Sequence, residues 1–256
     1  MSRSERSSVQ FDILGERRNP PVGDVEVIPD GFGSGDPTSR DIVDQLNRRI
    51  GIFCLSRKSD SLLMWSHYAD QYAGAVVEFD AAHEFFAHPI DVEYRARRPR
   101  RHIDDYLAGV PIPVSELCTK SDQWAYEEEV RIIRRLVDCE NTGKVDPRGF
   151  PIYTQTLPIE AIKSVMLGER MAVEVQREIF ARVMDTNIVL DLAAIDISGY
   201  GFRRERIKMH VPISKMGPWM SPRTAHIFRD LKSTRGEFAR WMIDHHPLSK
   251  AVNKRV

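Results

Sequence analysis

Cysteine is scarce in this 256-residue chain: Cys54, Cys118 and Cys139 are the three present, and no two stand at CxxC spacing. That argues against a disulfide framework or a zinc knuckle and makes a reducing cytoplasm the simplest home. Charge of one sign is not in excess either, because 37 Lys and Arg balance 37 Asp and Glu. A global basic surface for nucleic acid is therefore not indicated, although a local patch remains open. No apolar run approaches the roughly 18 residues of a membrane-spanning helix. The opening MSRSERSSVQFDILGERRNPP is polar and lacks the apolar stretch of a secretory signal. There is no internal repeat. GxGxxG, the P-loop pattern and GxSxG are all missing, so a dinucleotide fingerprint, P-loop phosphoryl transfer and α/β-hydrolase chemistry lose support. What is present is a 42% hydrophobic chain, enough for one sizeable core.

Periodicity divides the chain into three parts. Residues 1–38 hold NPPVGD and PDGFGSGDP, turn-rich stretches with little apolar period, and read as an irregular entry. Residues 39–214 read as a core domain. SRDIVDQLNRRI has helical spacing, with Ser39 or Asp41 as N-cap. GIFCLS is too short for a helix and reads as a buried strand. DSLLMWSHYADQY reads as a helix capped by Asp60 or Ser61 and stopped by Gly74. At about 100° per residue, Met64, His67, Tyr68 and Gln71 share one face of it, and Trp65, Ala69 and Tyr72 another. AGAVVEFD and the start of IDVEYRARRPRR read as strands, with a short helix through AAHEFF between them. In YEEEVRII, period-two alternation sets Glu127, Glu129 and Arg131 on one strand face and Glu128, Val130 and Ile132 on the other. NTGKVDPRGFP reads as a loop. SVMLG, IVLDLAAIDIS and RRERIKMHVPIS read as strands, and residues 173–184 as an amphipathic helix. Residues 215–256 read as a helical C-terminal appendage with one main helix, RGEFARWMIDHH. Alternating segments of this kind predict a mixed α/β (α+β) fold, a single domain with a central twisted sheet flanked by helices.

Two of these segments, GIFCLSRKSDSLLMWSHYADQYAGAVVEFD and CTKSDQWAYEEEVRII, together resemble the bacterial family catalogued as domain of unknown function 2971. In that family a Met-Trp-Ser-His-Tyr helix leads into a Gly-containing strand, and a Lys, a Trp and a Tyr-Glu-x-Glu-x-Arg strand follow. IKSVMLGERMAVEVQREIFARVMDTNIVLDLA is similar to its usual ending, so the likeness covers roughly residues 50–210. The start departs from the pattern: members usually begin with a Tyr-containing strand and an Asn-Asp-Pro-Phe-like turn, and only NPPVGD and SGDPTS stand here. A Glu-x-Glu strand also resembles, at the level of fold, the catalytic strand of ADP-ribosyltransferases, in which a glutamate hydrogen-bonds the nicotinamide ribose and supports an oxocarbenium-like transition state.

The candidate site follows from those residues. Glu129 orients a ribose and stabilises the cation, Glu127 assists or activates the acceptor, and His67 completes the catalytic set. Trp65, Ser66, Tyr68, Lys120, Trp124, Tyr126 and Arg131 supply stacking, hydrogen bonds and charge for the cofactor. The implied cofactor is NAD, the implied partners are a small nucleotide and a protein or nucleic-acid acceptor, and the implied setting is bacterial defence or a toxin system in the cytoplasm. No membrane partner and no metal ligand set is expected, since His245-His246 has no partner at ligand spacing. Plainer readings stand beside these: Trp65 and Tyr68 pack a core, the carboxylates lie solvated on an edge strand, and Arg95, Arg97, Arg98, Arg100, Arg101 and His102 form a solvated loop instead of gripping a pyrophosphate. Two other functions also remain open: a metal-dependent nuclease or phosphodiesterase on Glu127, Glu129 and His67, with Lys120 on phosphate, and a non-enzymatic nucleotide-sensing or interaction module.

Overall fold

A computed structural model describes residues 46–99, 113–196 and 198–251. The irregular entry expected over 1–38 lies outside them, as does most of the helix expected over 39–50; Ile50 opens a strand. The class is α+β. The strands among the described residues divide into four sheets, and the chain builds two compact units, one from described residues up to Lys58 and from Phe86–Leu157, the other from Ser59–Phe85 and from Pro158 onward.

In the first unit, β1 (Ile50–Ser56), β6 (Glu129–Arg135) and β3 (Ile90–Asp91) form an antiparallel sheet in the order β1-β6-β3. Its register sets Cys54 opposite Arg131 and Ser56 opposite Glu129. β4 (Glu93–Arg95) and β5 (Thr119–Ser121) pair in parallel, with Tyr94 opposite Lys120. β7 (Glu140–Val145) and β8 (Pro151–Thr154) form a hairpin where a loop is expected. The stretch is too polar to show an apolar alternation. It is held by Asp146, whose backbone N–H donates to the Phe150 carbonyl and whose carboxylate accepts from the N–H groups of Arg148 and Phe150.

In the second unit the sheet order is β11-β10-β9-β2. β9 (Ile162–Gly168) and β10 (Val189–Ile195) run parallel, joined by a helix of residues Val173–Val183, as a crossover requires. β2 (Ala75–Phe79) and β11 (Phe202–Lys208) add antiparallel edges. α1 (Leu62–Tyr68) precedes this sheet, and its Ser61 cap accepts from the Met64 N–H. The crossover helix is α2, and α3 (Ala225–Phe228), α4 (Thr234–His245) and α5 (Pro247–Ala251) follow β11. Alternation along the strands sorts the sheet's two faces. Val165, Leu167, Leu190 and Leu192 face a core completed by Val183 of α2, by Ala225, Ile227 and Phe228 of α3 and by Ala239 of α4. The segment from 215 is thus helical, and its helices are part of this unit's core.

Met166 and Ala193, on the other face, pack against Trp65 and Ala69 of α1. That helix is shorter than the sequence predicts, because Asp70, Gln71 and Tyr72 all adopt positive φ (47°, 50° and 72°). Left-handed backbone costs a non-glycine residue roughly 1–2 kcal/mol. Two contacts hold the turn: Tyr72 stacks on Trp65 (ring centroids 6.4 Å apart), and its carbonyl accepts from the Arg170 N–H at 3.1 Å. The end of β9 comes so close that a Cβ on Gly168 would stand 2.0 Å from the Tyr72 carbonyl oxygen.

Candidate functional site

The residues of the second motif converge inside the first unit. Glu127 ends a 3-10 helix, Asp122–Glu127, and is not on the strand. Glu128 then turns left-handed (φ 45°) and points its carboxylate out to Lys58 at 3.1 Å. β6 begins at Glu129. The expected single strand face of Glu127, Glu129 and Arg131 is therefore a helix-turn-strand corner. The corner still gathers the side chains. The Lys120 Nζ donates to Glu127 Oε2 at 2.5 Å and to Glu129 Oε2 at 3.0 Å. Arg131 donates through Nε to Glu129 Oε1 at 2.7 Å, and a second guanidinium N–H reaches the Leu117 carbonyl at 2.5 Å. The carboxylates are not solvated: their side chains are 0% and 1% exposed, against 21% for Lys120.

Electrostatics follow from that packing. Burial pushes the Glu129 carboxyl up, but the hydrogen bonds and charges of Arg131 and Lys120 outweigh it and hold Glu129 below its ordinary range. Burial likewise lowers Lys120 and Arg131, and their carboxylate partners more than reverse it, so both stay protonated to higher pH than usual. Three further groups complete the site, and sequence reasoning missed them as members. Tyr94 accepts the Glu129 backbone N–H through its phenol oxygen at 2.7 Å. Ser56 donates to the Glu127 carbonyl at 2.5 Å. Cys54 lies opposite Arg131, and burial, helped by Glu129, pushes its thiol well up. Of these, only Cys54 and Ser56, inside the GIFCLS run, gave any signal, and it was one of burial.

The Lys120 ammonium sits 5.0 Å from the Trp124 ring centroid, and Trp124 packs on Tyr126 at 5.9 Å. Tyr94 pairs across from Lys120, and the residue after it, Arg95, lines an open cavity of about 640 Å³ with Arg97, Arg98 and Pro99. Arg100, Arg101 and His102 lie outside the described residues.

The first motif belongs to the second unit. Trp65 has no exposed surface and donates its indole N–H to the Ser59 carbonyl at 2.9 Å, so it is a core residue with no face left for a cofactor. Ser66 and His67 are exposed and Tyr68 is half-buried, its ring at the edge of the His67 ring 6.1 Å away. Of the ten expected site residues, Lys120, Trp124, Tyr126, Glu127, Glu129 and Arg131 stand together, and Trp65, Ser66, His67 and Tyr68 occupy α1. Among the described residues, no group of three or more His, Cys, Asp or Glu is placed to hold a metal ion. None of the described helices is long and apolar enough to cross a membrane.

A second buried charge centre went unnoticed in the sequence. Asp191, 1% exposed, pairs with Arg206 Nε at 2.5 Å. A lone Asp inside IVLDLAAI was its signal.

Residues 64–132 match the family model described as Protein of unknown function (DUF2971). The match covers about a quarter of the chain and runs from α1 through the Glu129–Ile132 half of β6. The Met64–Tyr68 motif and the Trp124–Arg131 motif fall inside it, and the 51–63 stretch and the 162–193 ending that also carry the resemblance fall outside. No curated protein and no solved structure matches the chain.

Proposed function

We propose that the Lys120–Glu127–Glu129–Arg131 corner binds NAD, or a closely related nucleotide, for an ADP-ribosyltransferase-like glycosyl transfer in the cytoplasm. The observation that carries the reading is a cation position enclosed by two buried carboxylates, which the Lys120 ammonium occupies and closes from the solvent side. Nicotinamide in NAD is cationic, and positive charge passes to the anomeric carbon as the ribose–nicotinamide bond breaks and its electrons leave with nicotinamide. A carboxylate pair that holds an ammonium suits that charge. In this reading Lys120 swings aside, Glu129 faces the ribose, Trp124 and Tyr126 supply stacking surface, and Arg95, Arg97 and Arg98 receive the pyrophosphate. ADP-ribose passes to a macromolecular acceptor or to water. A role in bacterial defence or a toxin system fits that chemistry.

Calorimetric titration of the whole chain with NAD tests it, with Glu129→Gln alongside and Mg²⁺ or Mn²⁺ in parallel cells. Saturable NAD binding that weakens at least tenfold in the variant is the expected result. No NAD binding, or equal binding by both proteins, sinks the proposal. A second reading, a nucleotide-sensing module without turnover, is favoured by one observation: both oxygens of the Glu129 carboxylate already accept hydrogen bonds, Oε1 from Arg131 and Oε2 from Lys120 and Arg131. Release of nicotinamide separates the two, since a sensor binds NAD and releases none.

A further inference from the structure

Helix α4 carries three rings on one side. Phe238 and Trp241 are stacked with their centroids 5.8 Å apart and planes 5° apart, and His245 continues the stack 5.3 Å from Trp241 at 17°. Spacings of three and four residues place them on one helical face. The opposite face supplies the buried Gly236 and Ala239. The ring face is not core: Phe238 is 49% and Trp241 53% exposed. The Arg235 side chain of α4 reaches the loop from Lys215 to Trp219, where a Cβ on Gly217 would stand 2.8 Å from a guanidinium nitrogen. That loop exposes Met216 and Trp219 as well. Exposed apolar patches of this kind mark contact surfaces.

Charge names the occupant. Residues 215–256 hold nine Lys and Arg against three Asp and Glu in a chain that is neutral as a whole, and of those cations Arg223 is buried against Glu169 and Glu205 while Arg229 pairs with Asp230. Lys215, Lys232, Arg235 and Arg240 are exposed and make no ion pair among the described residues. A hydrophobic protein groove would take the rings but has no use for this cationic surround. A phosphate backbone needs it, and a base offers its π-face to any aromatic ring. We infer that the Phe238–Trp241–His245 face of α4, with the adjoining Lys215–Trp219 loop, binds single-stranded nucleic acid. Helical geometry fixes the side on which the strand runs. Glu237 and Asp244 border the rings on one flank and repel phosphate, and Arg235 lies toward the other, beside Gly217. The assignment is independent of NAD binding at the other motif.

Fluorescence anisotropy of the whole chain with a labelled oligothymidylate and an oligouridylate, each about 20 nucleotides long, tests it across a salt series, with a duplex of equal length as competitor. Single strands are expected to bind and to weaken steeply with salt. Trp241→Ala is expected to weaken binding by on the order of tenfold. Arg235→Ala is expected to flatten the log–log salt slope by about 0.7, the loss of one phosphate contact on a single strand. Both side chains are exposed, and a thermal melt of each variant confirms that folding is intact. No binding at low salt, a preference for duplex, or unchanged affinity in Trp241→Ala with Phe238→Ala overturns the inference.

Discussion

Replacing Lys120 with Met removes one charge from the cluster and leaves two buried carboxylates facing the single guanidinium of Arg131. At 2.5 and 3.0 Å and an effective dielectric near 20, each carboxylate–ammonium attraction is worth about 5–7 kcal/mol before desolvation. Burying the ammonium costs several kcal/mol, so the net value of the pair is modest. Breaking it is a different matter, because the carboxylates stay buried, and one-sided removal of a buried charge costs about 3–5 kcal/mol. The pH dependence has a definite sign. In the wild type Glu129 is held below its ordinary range, so its contribution is fully present above about pH 4.3 and is lost as pH falls through the folded value. Lys120 is held above its ordinary range, so its contribution is fully present below about pH 10.4 and is lost only as pH rises past that. In Lys120→Met, the lowering contribution of Lys120 is gone and burial raises the proton affinity of Glu129. A raised acid destabilises the fold as pH increases. Urea unfolding of the whole chain should therefore show a gap of about 3–5 kcal/mol at pH 8, narrowing by at least about 1 kcal/mol at pH 5. Adding Glu127→Gln should recover part of the loss, because the surplus charge goes with it. A gap below about 1 kcal/mol that does not change with pH, and no recovery in the double variant, would refute the picture of an ammonium closing two buried carboxylates.

Two other outcomes follow from close packing and from burial. Gly168→Ala forces a methyl group against the Tyr72 carbonyl and should cost at least about 2 kcal/mol, lowering the melting temperature by roughly 4–8 °C; a loss of under 1 °C would mean that the left-handed turn moves freely. Burial pushes the Cys118 thiol up to about 11, so at pH 8 on the order of one molecule in a thousand carries the thiolate. Iodoacetamide labelling of Cys118, followed by mass spectrometry, should be at least a hundredfold slower in the native protein than in urea, and equal rates would place this cysteine at the surface.

Period-based reading recovers the elements whose apolar residues face one core. β1, β2, β9, β10, β11, α2 and α4 all lie where their spacing predicts. The failures share a cause, which is polar backbone chemistry with no apolar period. The β7–β8 hairpin rests on Asp146 and its turn. The early end of α1 is set by three non-glycine residues in left-handed backbone, which the helix-forming sequence ADQY does not announce. At Glu128 a single left-handed residue turns a predicted strand into a corner, and alternation cannot show it. The site is legible as a set of residue types and illegible as a geometry. YEEEVR allows both a site on one strand face and exposed charge on an edge, and alternation cannot show that its two outer carboxylates are among the most enclosed of the described side chains.

The two motifs make the same point from opposite directions. In MWSHYAD the large aromatic is architectural: Trp65 anchors α1 to the sheet and stacks on Tyr72, so the polar residues beside it, Ser66 and His67, stay outside. In WAYEEEVR the aromatics are half-buried, and the Glu127 and Glu129 carboxylates go inside. Burying a tryptophan stabilises a fold without help. Burying two carboxylates does not, since each needs a cation and hydrogen bonds to offset desolvation. Lys120 and Arg131 are drawn from two different strands to meet that need, and Tyr94 and Ser56, from two others, bond the backbone N–H of Glu129 and the carbonyl of Glu127. A packed apolar corner would cost less, and replacing such a cluster with hydrophobic residues is often neutral for stability. Matching substitutions of Lys120, Glu127, Glu129 and Arg131 by Met or Leu should therefore leave a folded chain, and if the corner binds NAD as proposed they should also remove that binding, a separation of stability from binding that a functional corner predicts and a merely structural one does not.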